Sequence, residues 1–160
     1  MKKQLIAGNW KMNGSATANE ALVSALAAGV AGASCLVAVC VPAPYLAQVQ
    51  RLAAGTGIDL GAQDVSQHEA GAFTGEVSAA MLRDFGTRYC LVGHSERRGM
   101  GESNALVRAG FEQALAAGLA PVLCVGERER ESEGEHFAFI EAQLDSCLRA
   151  LPATMLKKLV

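Results

Sequence analysis

The chain has 160 residues, of which 51% are hydrophobic and 19% charged, and its formal net charge is −2. This composition is typical of a globular domain and excludes an intrinsically disordered chain. A near-neutral charge without a basic stripe argues against nucleic acid as a partner, and no apolar run reaches the roughly 18 residues of a membrane helix. Five scattered cysteines without a C-x-x-C pair indicate reduced thiols in a cytoplasmic protein, and suggest neither a disulfide framework nor a zinc site.

Short apolar runs alternate with longer amphipathic segments along the chain. The apolar runs predict strands at residues 5–8, 36–41, 58–62, 89–92 and 121–125. The amphipathic segments predict helices at residues 17–30, 45–54, 78–85, 104–117 and 137–151, with Gly118 as a C-terminal cap, and residues 156–160 open a possible sixth strand. Alternation of this kind predicts an α/β fold with a parallel sheet covered by helices. Since no linker or composition shift interrupts the pattern, we expect one domain over residues 1–160.

The pattern alone leaves two ways of arranging the predicted strands. They could form a doubly wound open sheet, or they could belong to a closed (β/α)₈ barrel. No G-x-G-x-x-G motif follows the first predicted strand, so the dinucleotide-binding form of the open sheet lacks its signature.

Polar side chains follow the predicted strands at the end where parallel α/β proteins bind ligands. They are Asn9 and Lys11 after the first strand, Gln63 after the third, His94 and Glu96 after the fourth, and Glu127 after the fifth. Each has an ordinary alternative: a lysine here is usually solvated, a histidine often caps a helix, and an early-turn glutamate favours the helix dipole. Their recurrence at one edge of the sheet nevertheless favours a site.

The residue types suggest proton movement next to a carbonyl group. Lys11 offers a positive charge for an anionic substrate or a developing oxyanion, and Asn9 could orient a substrate oxygen or hold the lysine. His94 could polarise a carbonyl or shuttle a proton. Ser95 is predicted to be an N-cap, which would place His94 at the positive end of a helix and favour its neutral form. On its own, Cys124 would be small core filler.

Four longer strings resemble a known family. AGNWKMN at residues 7–13, QDVSQHEAGAFTGEVSA at 63–79, YCLVGHSERR at 89–98 and PVLCVGE at 121–127 are similar to motifs of the triosephosphate isomerase family, in family order and spacing. The resemblance implies a TIM (β/α)₈ barrel, of which this chain holds about five βα units plus the start of strand six. It departs from the family pattern at Arg128, where the family usually has Thr, and at Asn104, where it often has Asp.

The resemblance also implies a reaction and roles for particular residues. The reaction is the glycolytic and gluconeogenic interconversion of dihydroxyacetone phosphate and glyceraldehyde 3-phosphate through an enediolate, without a cofactor or metal. Lys11 is implied to stabilise substrate and intermediate, with Asn9 beside it, and His94 to act as a neutral electrophile. Glu96 is implied to belong with these catalytic groups. The surrounding polar network is implied to include Ser95, Cys124 and Glu127.

The long loop after the third strand is implied to mediate a homodimer. In the family this loop inserts into the neighbouring subunit, so Gln63 is expected at its base and Thr74 at its tip, near the partner's site, in an isologous dimer. The pattern alone would equally suit a mobile surface loop.

The resemblance finally implies that a catalytic glutamate, in a segment of the form A-Y-E-P-V-W-A-I-G-T-G, and Gly-rich phosphate-binding turns follow the sixth strand. None of these is among the 160 residues, whereas a complete barrel has about 250. We therefore expect the isolated polypeptide to be inactive, unless a complementary C-terminal segment accompanies it. Two alternatives remain open: a non-catalytic barrel fragment that serves as an interaction or assembly partner, and a barrel enzyme with Lys11 as a Schiff base.

Overall fold

The computed structural model of the chain describes residues 3–127, 129, 134–149 and 151–152. The strands are β1 (Leu5–Asn9), β2 (Leu36–Val41), β3 (Ile58–Ala62), β4 (Tyr89–Val92) and β5 (Ala120–Leu123). The helices are α1 (Ala16–Val30), α2 (Leu46–Ala53, entered through a 3₁₀ turn at Ala43–Tyr45), α3 (Ala79–Asp84), α4 (Ser95–Gly99), α5 (Asn104–Ala116) and α6 (Glu135–Leu148). The expected sixth strand and Arg128 lie outside the described residues.

The five strands form one parallel sheet in the order β1-β2-β3-β4-β5. Each strand pairs with the next one along the chain, whereas a doubly wound sheet reverses direction at a switch point. Because parallel crossovers share one hand, an order that never reverses carries every connecting helix to the same side of the sheet. The sheet curls as a half-barrel, and the (β/α)₈ alternative of the sequence pattern is confirmed.

Burial differs between the central strands and the two edge strands. All four residues of β4 are buried, as are the last four residues of β2. In β1, by contrast, three of the five residues are exposed, and Ile6 is 58% exposed. β5 is only half-buried except for Pro121. β1 and β5 are thus less buried than the inner strands, and among the described residues each of them has one neighbouring strand.

The core forms where helices pack against the curved sheet. Apolar side chains of the inner strands, including Val39 and Val92, lie in one cluster with Val49 of α2, Leu82 of α3 and Phe111 of α5, and the last three are almost wholly buried. This packing fixes the positions of the strand ends, from which the polar loops project.

Helix ends follow the capping chemistry of the sequence. The hydroxyl oxygens of Ser15, Ser78 and Ser103 accept hydrogen bonds from the first turns of α1, α3 and α5. At the other end of α5, Gly118 has φ +78°, the left-handed conformation expected of its capping position. The helix predicted at residues 137–151 begins two residues earlier and ends at Leu148, and the strand predicted at 121–125 runs from Ala120 to Leu123.

Candidate active site at the carboxyl edge of the sheet

The loops after β1 and β4 meet through an ion pair. Lys11 Nζ lies 2.7 Å from Glu96 Oε1, although the two residues are 85 positions apart in the sequence. Both side chains are about half exposed, at 54% and 53%, so they are open to a ligand. The structure therefore brings together the lysine and the glutamate that the sequence placed at one edge of the sheet.

The backbone of Lys11 is held in an unusual conformation. Its φ is +52°, in the left-handed region that non-glycine residues adopt at a cost of about 1–2 kcal/mol. The side chain of Asn9 accepts a hydrogen bond from the Lys11 N–H at 2.9 Å. Gln63 Nε2 donates to the carbonyl oxygens of Lys11, at 2.9 Å, and of Cys40, at 3.0 Å. These contacts, from the end of β1 and from the residue after β3, fix the direction in which the lysine side chain leaves the backbone.

His94, and not Ser95, is the N-cap of α4, so the prediction for Ser95 is wrong. His94 Nδ1 accepts a hydrogen bond from the backbone N–H of Glu96 at 3.2 Å, while Ser95 is the first residue of the helix. An imidazole nitrogen that accepts a hydrogen bond carries no proton. In this hydrogen bond Nδ1 is the acceptor, so Nε2 is the ring nitrogen left to donate, and the ring does sit at the positive end of a helix as expected.

Glu96 couples the lysine and the histidine. Its second oxygen, Oε2, lies 3.6 Å from His94 Nδ1, while Oε1 is bound by Lys11. The hydrogen bond from Lys11 lowers the pKa of the Glu96 carboxyl, and the charge of Lys11 acts in the same direction. Glu96 is therefore a stable anion and a weak proton acceptor, suited to positioning Lys11 more than to removing a proton from carbon.

Cys124 and Glu127 lie in the loop after β5, beside this cluster. The backbone N–H of Cys124 donates to the carbonyl of Val92 in β4 at 2.9 Å, and burial raises the pKa of its thiol. Glu127 and Ser95 both line a cavity of about 610 Å³ between the β4 and β5 loops. Of the three residues expected in the polar network, Ser95 and Glu127 thus line one cavity, and Cys124 is joined to the end of β4 through its backbone.

Two polar side chains of this region were missed in the sequence. Arg98 donates from Nε to the carbonyl of Gly93 at 2.7 Å, and Gln143 pairs with both the N–H and the carbonyl of Gly126, at 2.9 and 3.0 Å. Gln143 is only 2% exposed. The signal that could have revealed it is its phase on α6, four residues before the buried Cys147 on the same helix face.

The loop after β3 is anchored by charge at its base and by ring stacking near its tip. Arg97 of α4 lies 2.9 Å from Asp64, and its Nε lies 3.3 Å from Glu102. Further along, the rings of His68 and Phe73 stack in parallel with centroids 3.5 Å apart. Thr74 is exposed and lines a cavity of about 590 Å³ together with residues of α4 and the loop after it. Gln63, expected at the loop base, bonds to the Lys11 backbone.

Across the part of the chain that the structure describes, no three His, Cys, Asp or Glu side chains converge as a metal site would require. Within the same residues, no helix is long and apolar enough to cross a bilayer.

The comparisons with known proteins agree with one another. The family model described as triosephosphate isomerase matches residues 4–160. The triosephosphate isomerase of Albidiferax ferrireducens is 58% identical over 152 residues, and this match covers 94% of the chain and 62% of the relative. That of Paracidovorax citrulli is 60% identical over 148 residues, covering 89% and 59%. The crystal structure of triosephosphate isomerase from Bartonella henselae superposes with a TM-score of 0.90 at 34% identity, covering 99% of the chain and 66% of that structure.

The chain thus spans less than two thirds of the length of each of these relatives. The match nevertheless runs through all five strands and the Lys11, His94 and Glu96 cluster. On this evidence the chain belongs to the triosephosphate isomerase family.

Proposed function

We propose that this site serves the interconversion of dihydroxyacetone phosphate and glyceraldehyde 3-phosphate through an enediolate. The observation that carries the proposal is the arrangement of Lys11, Glu96 and His94: a cation held at 2.7 Å by a carboxylate, beside an imidazole whose Nδ1 is already occupied. Together they supply a positive charge and a neutral hydrogen-bond donor at the end of a parallel sheet, where such folds bind substrate.

Lys11 is proposed to bind the anionic substrate and to stabilise the charge that develops on the intermediate. Its ammonium group is half exposed, so substrate can reach it without breaking the pair with Glu96. The strained backbone of Lys11 and its bonds to Asn9 and Gln63 keep this charge in place before substrate arrives. Such a preorganised charge needs no rearrangement in the transition state.

His94 is proposed to act as the neutral electrophile. With Nδ1 accepting from Glu96 N–H, the remaining proton is on Nε2, which can donate to a carbonyl oxygen and then to the enediolate oxygens. A neutral donor is better matched to this task than an imidazolium, because the proton can shift between the two oxygens of the intermediate without a large energy difference.

The proton on carbon needs a separate base. The carboxylate beside His94 is Glu96, and its pKa is lowered by Lys11, so it is poorly suited to this step. We propose that the described residues form the electrophilic half of the site and that the 160-residue polypeptide alone turns over no substrate. Loss of a general base costs roughly 10²–10⁴-fold in rate.

Binding by the chain as it stands tests the first half of the proposal. Titration with dihydroxyacetone phosphate, followed by ¹⁵N NMR of His94 and ¹³C NMR of the lysine side chains, should give saturable shifts in the millimolar range, about −4 kcal/mol. Lys11→Met should abolish the saturation. Lys3→Met, which removes a charge of the same kind from an exposed terminal position, should leave it unchanged. Equal behaviour of the two variants would refute the role of Lys11.

Turnover tests the second half. Native mass spectrometry of the purified protein shows whether the 16.6 kDa chain is alone or accompanied by a second peptide of about 9–10 kDa that would complete a barrel. The 16.6 kDa species alone should be inactive in material free of host isomerase, whereas an accompanied chain should be active. Activity in proportion to the homogeneous 160-residue chain would contradict the proposal.

Partners and compartment belong to the same proposal. We infer a homodimer in which the loop after β3 reaches the second subunit with Thr74 near its tip, and this exposed loop supports the inference. A non-catalytic role as an assembly partner through this loop is the alternative, and it predicts dimers without substrate shifts at His94. The reduced state of the five cysteines is consistent with a cytoplasmic location.

The Schiff-base alternative for Lys11 is less consistent with the geometry. A nucleophilic lysine must lose its proton, but Glu96 at 2.7 Å stabilises the charged ammonium. Borohydride treatment with a ketone substrate should therefore leave Lys11 unmodified, and a covalent adduct there would reverse this conclusion.

A further inference from the structure

We propose that Arg98 is a positioning residue that fixes His94 by joining the loop after β4 to the loop after β5. The inference rests on the proposed function in one respect, the role given to the His94 imidazole. The side-chain contacts of Arg98 used here are with two backbone carbonyls and with Asn104, so its effect on the ring would be transmitted through the backbone on either side of His94.

The contacts of Arg98 surround His94 along the chain. Its backbone N–H donates to the carbonyl of His94 at 3.0 Å, within α4. Its side chain folds back so that Nε donates to the carbonyl of Gly93 at 2.7 Å. The carbonyls of His94 and of the preceding residue are therefore both held by the same arginine, and the two peptide units that flank His94 have little freedom to rotate.

Gly93 is packed directly beneath the guanidinium group. Its φ is +73°, and a Cβ added there would lie 2.8 Å from both Arg98 Nη2 and Val107 Cγ1. The backbone can approach the arginine this closely only because glycine lacks a side chain. The loop that presents His94 is thus confined between the arginine and α5.

The Arg98 side chain also binds the loop after β5, and we call its contacts with the loops after β4 and β5 the clamp. Arg98 Nη2 donates to the carbonyl of Cys124 at 3.4 Å, and Nη1 donates to Asn104 Oδ1 of α5 at 2.6 Å. Two residues further along this loop, the buried amide of Gln143 holds both backbone groups of Gly126. The loop to which Arg98 is tied is itself fixed to α6, so it can serve as a rigid support for the His94 loop.

The geometry requires the shape of arginine and not only its charge. A guanidinium has five N–H donors in a planar fork, and here the fork reaches acceptors in three separate elements. A lysine would keep the charge, but its single ammonium group cannot reach three acceptors spread along that fork. Arg98→Lys is therefore the variant that separates positioning from simple electrostatics.

The test uses the purified 160-residue chain labelled with ¹⁵N-histidine. In the parent, Nδ1 of His94 should give the signal of an unprotonated acceptor and Nε2 that of a protonated nitrogen. In Arg98→Met and Arg98→Lys both signals should move toward the values of a freely exchanging histidine. Amide exchange at Glu96 should become about 10-fold faster, because hydrogen bonds from a charged donor are lost.

A matched control removes an arginine whose ion pair lies within α5. Arg108 of α5 is 48% exposed and pairs with Glu112 at 2.8 Å on the same helix. Arg108→Met should leave the His94 signals and the Glu96 exchange rate within about 2-fold of the parent, since an exposed pair of this kind contributes little. Equal His94 signals in Arg98→Met and Arg108→Met would overturn the proposal.

Two further outcomes are distinguishable. If Arg98→Met does not fold, Asn104→Ala, which removes only the Nη1 contact, should produce a smaller shift of His94 in the same direction, and an unchanged His94 would refute the clamp. If the parent itself shows a protonated Nδ1, the proposed role of His94 fails. A change in His94 on loss of Arg98 would still support the clamp in that case.

Discussion

Gln63 is the residue whose replacement tests most directly how the site is held together. Its Nε2 donates to the carbonyl oxygens of Lys11 and Cys40, and so it ties the loop after β1 to β2. Gln63→Leu keeps a similar side-chain volume and removes both hydrogen bonds. The change therefore probes the support of Lys11 while leaving its charge and its partner Glu96 in the chain.

The expected loss of stability is small, and the structure shows why. Two neutral hydrogen bonds are worth about 2 kcal/mol together. The Cys40 carbonyl keeps its hydrogen bond from Trp10 N–H at 3.0 Å, and Lys11 is exposed, so its carbonyl can bond to water. Release of the left-handed conformation of Lys11 would return about 1–2 kcal/mol. The free energy of unfolding should therefore fall by about 1 kcal/mol or less.

The local effect should be larger than the global one. When Lys11 leaves its strained conformation, its ammonium group loses the fixed position opposite Glu96, so the pKa of the Glu96 carboxyl should rise toward its ordinary value. ¹³C NMR titration measures that pKa, the backbone coupling constant of Lys11 reports its φ, and urea unfolding gives the stability. Gln50→Leu, at an exposed position of α2, is the control. An unchanged Glu96 pKa in Gln63→Leu would refute the reasoning.

Three other substitutions or measurements test separate parts of the structure. Burial raises the pKa of Asp64 from 3.8 to about 6, so the folded state binds its proton more tightly and stability should fall as pH rises between these values. Asp64→Asn should remove this pH dependence of unfolding. The change in the free energy of unfolding should be no more than about 1 kcal/mol, because the Asp64 side chain is 36% exposed. Gly93→Ala should lower the free energy of unfolding, measured in urea, by about 2–4 kcal/mol, since backbone strain adds to the clash of a Cβ only 2.8 Å from its neighbours. Gly101→Ala, with φ +105° and open space around the added Cβ, tests the strain alone. Burial raises the pKa of the Cys40 thiol to about 12. Iodoacetamide should therefore label the half-buried Cys35 first and Cys40 only on unfolding. Early labelling of Cys40 would contradict its burial.

The central strands were predictable because their sequence has one explanation. A run such as LVAVCV has no polar member, so it must be buried, and β2, β3 and β4 have the predicted ends. The predicted ends of β1 and β5 differ from the observed ones by one or two residues, because a strand with one described neighbour is less buried and its ends need not coincide with the ends of an apolar run. Sequential strand order could not be deduced from periodicity, since open and closed sheets share the same alternation.

The residues of the candidate site likewise include some that the sequence could identify and some that it could not. Lys11, His94 and Glu96 could be identified because each follows a strand, and strand ends of a parallel sheet share an edge. The helix boundary at His94 was misplaced by one residue, because a serine is the commoner cap, but here the imidazole nitrogen takes that role. The supporting contacts of Gln63 reach residues 52 and 23 positions away, and those of Gln143 reach a residue 17 positions away, so local sequence carries no signal for their partners.

These contacts also show which interactions hold the loops of the candidate site and which side chains stay open to a ligand. The pair between Lys11 and Glu96 is half exposed on both sides, so it contributes little to stability. The amide of Gln63 and the guanidinium of Arg98 instead bind backbone carbonyls, which fixes the loops whatever the charge state of the exposed groups. Because positioning depends on neutral backbone acceptors, the exposed lysine and carboxylate can meet a ligand without loosening the loops that carry them.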